Sequence, residues 1–247
     1  METSSFQLTR WSMVRGAASA DPAVRSAALE RLCAQYWVPL YAYSRRKGRS
    51  AEAAADLVQD LFAHLLEGGR LATVQEGSGR FRNWLLTVLQ NYERDEHARE
   101  TAQKRGGGRA PIPIDADEGE RRLELTGVPT DDPAVAFERA WASETLTMAR
   151  DLLEQELRSA GKGRVFDALA GTLTGAEESR SRTELADELG LTAVALRVQI
   201  HRLRSRYREL LVAVVADSLG ERSEVGEELR ALSEALGSTG GIPVDSP

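Results

Sequence analysis

Cysteine occurs once in 247 residues, at Cys33, so no disulfide can form within the chain. Histidine is nearly as scarce, with three, and no Cys/His cluster has the spacing of a zinc site. Cys33 reads instead as a small buried hydrophobe. No stretch approaches the ~18 apolar residues of a membrane span, and residues 1–25 lack the apolar core of a secretory signal. A cytoplasmic protein with no membrane role is expected. Runs of alternating β-branched residues are missing, which predicts no sheet. No metal motif, nucleophile elbow or phosphate-cradling loop appears, so the sequence offers no catalytic residue, no metal ligand and no cofactor site.

What is present suits a globular chain. The 42% hydrophobic and 28% charged residues exclude disorder and collagen, and the length allows one large domain or two small ones. Net charge is -6, which alone argues against nucleic acid. Its distribution argues the other way. Residues 115–132 hold seven acids against Arg121 and Arg122, and residues 217–247 hold seven against Arg222 and Arg230, each net -5. Without these two segments the chain is +4. Residues 196–208 contain Arg197, Arg202, Arg204, Arg206 and Arg208 with no acid, an electrostatic footprint for phosphates.

Apolar spacing is helical throughout, which predicts an all-α protein. Phe81, Trp84, Leu85, Val88, Leu89 and Tyr92 trace one helix face, with Phe81 and Trp84 turned to the core. Leu57, Val58, Leu61, Phe62, Leu65 and Leu66 trace a second. Leu29, Leu32, Cys33, Tyr36 and Trp37 trace a third, which Pro39 is expected to end or bend. Residues 23–100 thus form one small helical domain behind an N-terminal extension, 1–22. Residues 101–133 carry Lys104-Arg105-Gly106-Gly107-Gly108-Arg109, Pro111, Pro113, the acidic patch, Pro129 and Pro133, the composition of a flexible acidic linker. The Gly/Arg run is a plain spacer or an RNA-binding segment. A second helical domain occupies 134–215. In the acidic tail, 216–247, Val225, Leu229, Leu232 and Leu236 mark an amphipathic helix that either covers apolar surface or shields the arginine-rich domain. Its removal is expected to leave a folded chain.

Ser181-Arg182-Thr183-Glu184 has the form of a capping box. A short helix should start there, run through Leu185, Ala186 and Leu189, and stop at Gly190. A second should follow Thr192 as N-cap. This is a helix-turn-helix pattern in which Leu191, Val194 and Leu196 are expected to lock the pair, and the second helix carries the five arginines. An arginine fork can bond a guanine edge or grip a phosphate.

A second pattern stands beside it. Asp56-Leu57-Val58-Gln59-Asp60-Leu61-Phe62, then Phe81-Arg82-Asn83-Trp84-Leu85, then Asn91, Asp95 and Arg99, resembles region two of bacterial RNA polymerase sigma factors. Residues 181–211 resemble their region four. The order, the linker and the opening Thr9-Arg10-Trp11-Ser12 resemble the extracytoplasmic-function subfamily of the sigma-70 family. The resemblance covers about residues 21–211. It implies a region 2-like bundle and a region 4-like helix-turn-helix domain, a factor that binds core RNA polymerase and promoter DNA, directs recognition of minus-10 and minus-35 elements, melts the promoter and initiates transcription. Asp56, Gln59 and Asp60 would bind polymerase. The loop 68–79 with Asn91, Tyr92, Asp95 and Arg99 would read the minus-10 element, where an unstacked base needs aromatic and amide groups. Arg197, Val198, His201 and Arg202 would read the minus-35 element, with Arg204 and Arg206 on phosphates.

The sequence departs from the family in two places. Residues 161–181 are longer and more polar than the usual approach to the helix-turn-helix. Ala53, Ala54 and Ala55 stand where relatives carry acids. Helical spacing sets Ala55 beside Gln59, so an acid at 55 is expected to strengthen polymerase docking. Charge could alternatively come from phosphorylation of Ser50, a plausible N-cap, by a Ser/Thr kinase, and an anti-sigma factor would be a further partner. The competing reading is a degenerate sigma-like interaction protein that binds polymerase or a regulator without initiating transcription.

Overall fold

Asp21 opens the first helix. Its carboxylate accepts from the Ala23 and Val24 amides at 2.9 and 3.4 Å, and Pro22 takes the first helical position, where its missing N–H costs nothing. The computed structural model describes residues 16–17, 19, 21–67, 71, 80–100, 114–126, 130–173, 181–217 and 225–237. Among these are α-helices and short 3-10 segments, with no strand, as the spacing predicts.

Helix α1 spans Pro22–Arg46, α2 Ala51–Glu67 and α3 Phe81–Glu100. Helix α4 spans Ala116–Leu125 and α5 Pro133–Ser159. A short α6, Gly163–Leu169, runs into the 3-10 turn Ala170–Thr172. Then come α7, Arg182–Leu189, α8, Ala193–Asp217, and α9, Val225–Ala235. Of the expected faces, Leu32, Cys33 and Tyr36 on α1, Leu57, Val58, Leu61, Phe62 and Leu65 on α2, and Phe81, Leu85 and Leu89 on α3 are buried; Leu29, Trp37, Trp84, Val88 and Tyr92 are half-buried, and the Leu66 side chain lies outside the described residues. Burial pushes the Cys33 thiol up to about 12, so it is a packed hydrophobe rather than a reactive group.

Pro39 neither ends nor bends α1 into two elements; the helix runs through it. An interior proline costs about 3 kcal/mol. Val38, Leu40, Tyr41 and Ala42 around it are all fully buried, and each large apolar side chain contributes about 1.5–3 kcal/mol on burial, so packing on all sides outweighs the lost hydrogen bond. Helix α1 is the central element. It packs on α2, α3 and α4, and its pairing with α5 is the most extensive among the described residues. Val38 and Ala42 meet Ala136 and Ala140 there, small residues that let the axes approach closely. Helix α5 in turn carries α6, α8 and α9. One continuous apolar core runs from Ala17 to Leu232, so the two helical halves are packed on each other.

The stretch 101–133 is not flexible throughout. Asp115 caps α4 by accepting from Asp117 N–H at 2.9 Å, and Glu118 pairs with Arg121 and Arg122 one turn on, both at 2.8 Å. Glu120 reaches α1, accepting from the Tyr41 hydroxyl at 2.5 Å and from Arg45 Nε at 2.6 Å. These hydrogen bonds hold its carboxyl below the usual range, Arg45 contributing most. Residues 101–113 and 127–129, with the Gly/Arg run, lie outside the described residues.

Gly119 sets how close α4 can lie. A Cβ there would stand 2.8 Å from the Tyr41 ring, which is fully buried and tethered through its hydroxyl. Gly119→Ala should gain up to about 1 kcal/mol of helix propensity but lose about 1–3 kcal/mol to overpacking. The expected net effect is a lower urea midpoint; a raised midpoint would mean that α4 does not pack against Tyr41.

Candidate nucleic-acid interface

Helix α2 starts at Ser50, whose hydroxyl accepts from Ala53 N–H at 3.2 Å. Glu52, Asp56 and Asp60 are exposed and follow one another at intervals of one turn, so they form a single acidic row. Gln59 is half-buried beside it. Partial burial, and then the charge of Asp56 one turn away, push the Asp60 carboxyl above the usual range. Ala55 does not share this face, contrary to the helical-spacing expectation. It is 4% exposed, and Ala54 is fully buried, because Ala54, Ala55, Val58, Leu61, Phe62 and Leu65 make a buried arc wider than one apolar stripe. Ala53 is the half-exposed one of the three.

On α3, Asn91 and Asp95 are exposed, and Asn91 Oδ1 accepts from Arg94. Tyr92 is half-buried, its ring 5.3 Å from that of His64 on α2. Phe81 is core and Trp84 packs beside it, ring centroids 5.3 Å apart. The side chain of Arg99 and the loop 68–79, apart from buried Leu71, lie outside the described residues.

The helix pair α7–α8 forms as its local signals dictate. Ser181 and Glu184 make both halves of the capping box at 3.2 and 2.8 Å, Gly190 adopts the left-handed conformation at φ 64, and Thr192 accepts from Ala195 N–H at 3.2 Å. Ala186 and Leu196 are buried where the helices meet. Val194 is not part of this lock. It is 70% exposed, since the second residue of a helix that Leu196 anchors lies about 160° away around the axis. Arg197, Val198, His201 and Arg202 are exposed together on α8. Between the helices lies a cleft of about 540 Å³ lined by Arg182, Thr183, Asp187, Arg197, His201 and Arg204.

Two arginines of α8 are tied to neighbouring elements. Arg204 Nε donates to the Thr172 carbonyl at 2.8 Å. Arg206 grips Glu156 of α5 with Nε and Nη2 at 3.0 and 2.8 Å, and Glu209 with Nη1 at 2.6 Å. Those carboxylates raise its pKa further. In this arrangement the Arg206 fork is occupied by Glu156 and Glu209, so a phosphate contact there would have to displace them. An arginine-rich helix cannot reveal which of its cations meet acids from distant helices.

A third cluster carries no role in the sequence reading. At the head of α3, Arg82 is 3% exposed and Glu228 of α9 is 2% exposed, and the two are in contact. Arg82 Nε also meets Glu138 of α5 at 3.0 Å, and its guanidinium lies 4.1 Å over the Trp141 ring. Arg80 Nε meets Glu228 at 2.9 Å. Arg82 lies within Phe81-Arg82-Asn83-Trp84-Leu85, but its partners lie far along the chain and no local signal points to them. Among the described residues, no His, Cys, Asp and Glu gather as a metal ion would need, and no helix is long and apolar enough to cross a membrane.

Residues 32–103 match the family model for Sigma-70 region 2. The match takes in most of α1 and all of α2 and α3, less than a third of the chain. A region of this kind suggests an RNA polymerase sigma factor in general terms. No curated protein and no solved structure matches the chain.

The burial pattern separates two substitutions on α2. Ala55→Glu should place a carboxylate in the core and lower stability by about 3 kcal/mol or more. Ala53→Glu should stay within about 0.5 kcal/mol of the parent. Urea unfolding of both variants checks this, and equal midpoints would show that the face is assigned wrongly.

Proposed function

We propose that this protein is an RNA polymerase sigma factor of the extracytoplasmic-function subfamily, working in the cytoplasm with core polymerase. The observation that carries the reading is the Sigma-70 region 2 match over residues 32–103, which falls on helices that leave Asp56 and Asp60 exposed on α2 and Asn91 and Asp95 exposed on α3. The capped α7–α8 pair follows in family order and supports a minus-35 reader.

In this reading the acidic row of α2, with Asp56, Gln59 and Asp60, docks on polymerase. Asn91, Tyr92, Asp95 and Arg99 of α3 meet the minus-10 strand, where amide and aromatic groups can hold an unstacked base. Helix α8 enters the major groove by its N-terminal half as a helix-turn-helix does. Arg197 and Arg202 can bond guanine O6 and N7, Val198 can meet a thymine methyl, and His201 can bond a base edge or a phosphate. Arg204 can add a phosphate contact from its anchored position. The protein does no covalent chemistry; its work is recruitment, reading and strand opening. Any acid that α2 lacks for docking belongs at position 53 and not at 55.

Genomic fragments captured by reconstituted holoenzyme would define the promoter, and run-off transcription from it tests the assignment. Arg197→Ala or Arg202→Ala should lower promoter use by about tenfold, the size of one lost base contact of about 1–3 kcal/mol, with core polymerase affinity intact. Asp60→Asn should do the reverse, weakening polymerase binding first. Absence of promoter-dependent run-off from the parent protein overturns the proposal in favour of a sigma-like binding protein.

A further inference from the structure

Helix α9 is acidic on the side that meets the body. Glu228 is 98% buried between the guanidinium groups of Arg80 and Arg82, and Glu227 stands 3.8 Å from Arg80. Leu232, fully buried, anchors the helix against α5 and α8. Two guanidinium groups closing on one carboxylate are the arrangement that a phosphate also satisfies. They sit at the N-terminal turn of α3, where the helix dipole adds a field of the same sign.

The place matters as much as the chemistry. Arg80 lies about 17 Å along α3 from Asn91 at 1.5 Å per residue, and eleven residues of about 100° each bring the two to the same side of the helix. This is about five nucleotides at 3.4 Å each, so a strand that Asn91 reads and that follows α3 would run past Arg80.

The closed arrangement also conflicts with a bound promoter. Arg82 touches α5 at Glu138, and Arg206 of α8 touches it at Glu156, about 27 Å further along the same helix. Elements named minus-10 and minus-35 are about 25 base pairs apart, roughly 85 Å of duplex. The helices proposed to read them cannot span that distance while the α1–α5 seam and α9 hold α3, α5 and α8 together.

We propose that α9 is a strap that mimics DNA, its Glu228 carboxylate occupying the Arg80–Arg82 site that takes a backbone phosphate of the promoter strand once the strap leaves. This rests on the sigma-factor reading. It assigns Arg80 and Arg82 as a phosphate site and makes the tail an intramolecular competitor for it.

The test uses the full chain and a labelled single-stranded oligonucleotide carrying the minus-10 sequence, titrated by fluorescence anisotropy. Glu228→Gln should raise affinity about tenfold at low salt and steepen the dependence of log K on log salt by about one, the signature of one added phosphate contact. Adding Arg80→Ala to Glu228→Gln should abolish the gain. Leu232→Ala loosens α9 without changing any charge and should also raise affinity; it decides the matter if Glu228→Gln loses its helical signal. Unchanged affinity in the folded variants, or a gain that survives Arg80→Ala, overturns the proposal. Run-off transcription with core polymerase on the same preparations reports on the sigma-factor reading separately: its absence in parent and variants sinks that reading whatever the oligonucleotide does.

Discussion

Arg82 is a cation with 3% of its surface exposed, and a guanidinium cannot shed its proton inside a protein. Burial draws its pKa down while Glu138 pulls it back up, so the surrounding structure must bring charge to it. Glu138 comes from α5, Glu228 from α9, and the face of Trp141 closes the remaining side. Such a cluster adds little over a well-packed apolar substitute, but the loss of one member leaves a buried charge at a cost of about 3–5 kcal/mol. The relative placement of α3, α5 and α9 therefore depends on every member being present.

The seam between α1 and α5 extends this arrangement in a different manner. Its centre is small and apolar, Val38 and Ala42 against Ala136 and Ala140, while ion pairs bind α5 to its neighbours: Arg122 of α4 with Glu144 at 2.6 Å, and Arg206 of α8 with Glu156 at 2.8 Å. Burial raises the Glu144 carboxyl, and Arg122 opposes that rise. One turn from Val38 on the same side, Gln35 is fully buried and its amide has no hydrogen-bond partner among the described residues. An unpaired buried polar group costs about 1–3 kcal/mol. The seam itself is thus held by close apolar packing and opposed by an amide that water would satisfy, while charges tie α5 to α4 and α8 on either side of it.

Local signals carried much of this architecture in the sequence. The apolar faces of α1, α2 and α3, the capping box at Ser181 and the left-handed Gly190 each depend on residues within a turn or two, and they formed as the spacing predicts. What the sequence hid depends on distant partners. Pro39 signals a break, yet burial on all sides keeps α1 whole. The acidic stretch around α4 has almost no apolar face, so its helix was legible only as composition; Asp115, Arg45 and Arg122 hold it. Ala55 and Val194 show the limit of spacing arguments, because whether a neighbouring position faces in or out depends on how wide the buried arc is. Of the proposed surface residues, those at 56, 60, 91, 95, 197, 198, 201 and 202 are exposed, whereas Arg206 is engaged by an acid fifty residues away.

The charge distribution takes on a different meaning once the helices are placed. Two acidic segments account for the negative sum, and a basic protein with acidic appendages would ordinarily use them for solubility. Here both contribute carboxylates to arginines on the body: Glu120 of α4 to Arg45, and Glu228 of α9 to Arg80 and Arg82. The difference between the two lies in burial. Glu120 keeps 40% of its side chain in water, so its ion pair is screened and weakly stabilising. Glu228 keeps 2%, so its attraction to the two arginines is strong and so is the cost of leaving them unpaired. Only a ligand that brings its own negative charge to that place can replace it without that cost, and this restricts which partner can release α9.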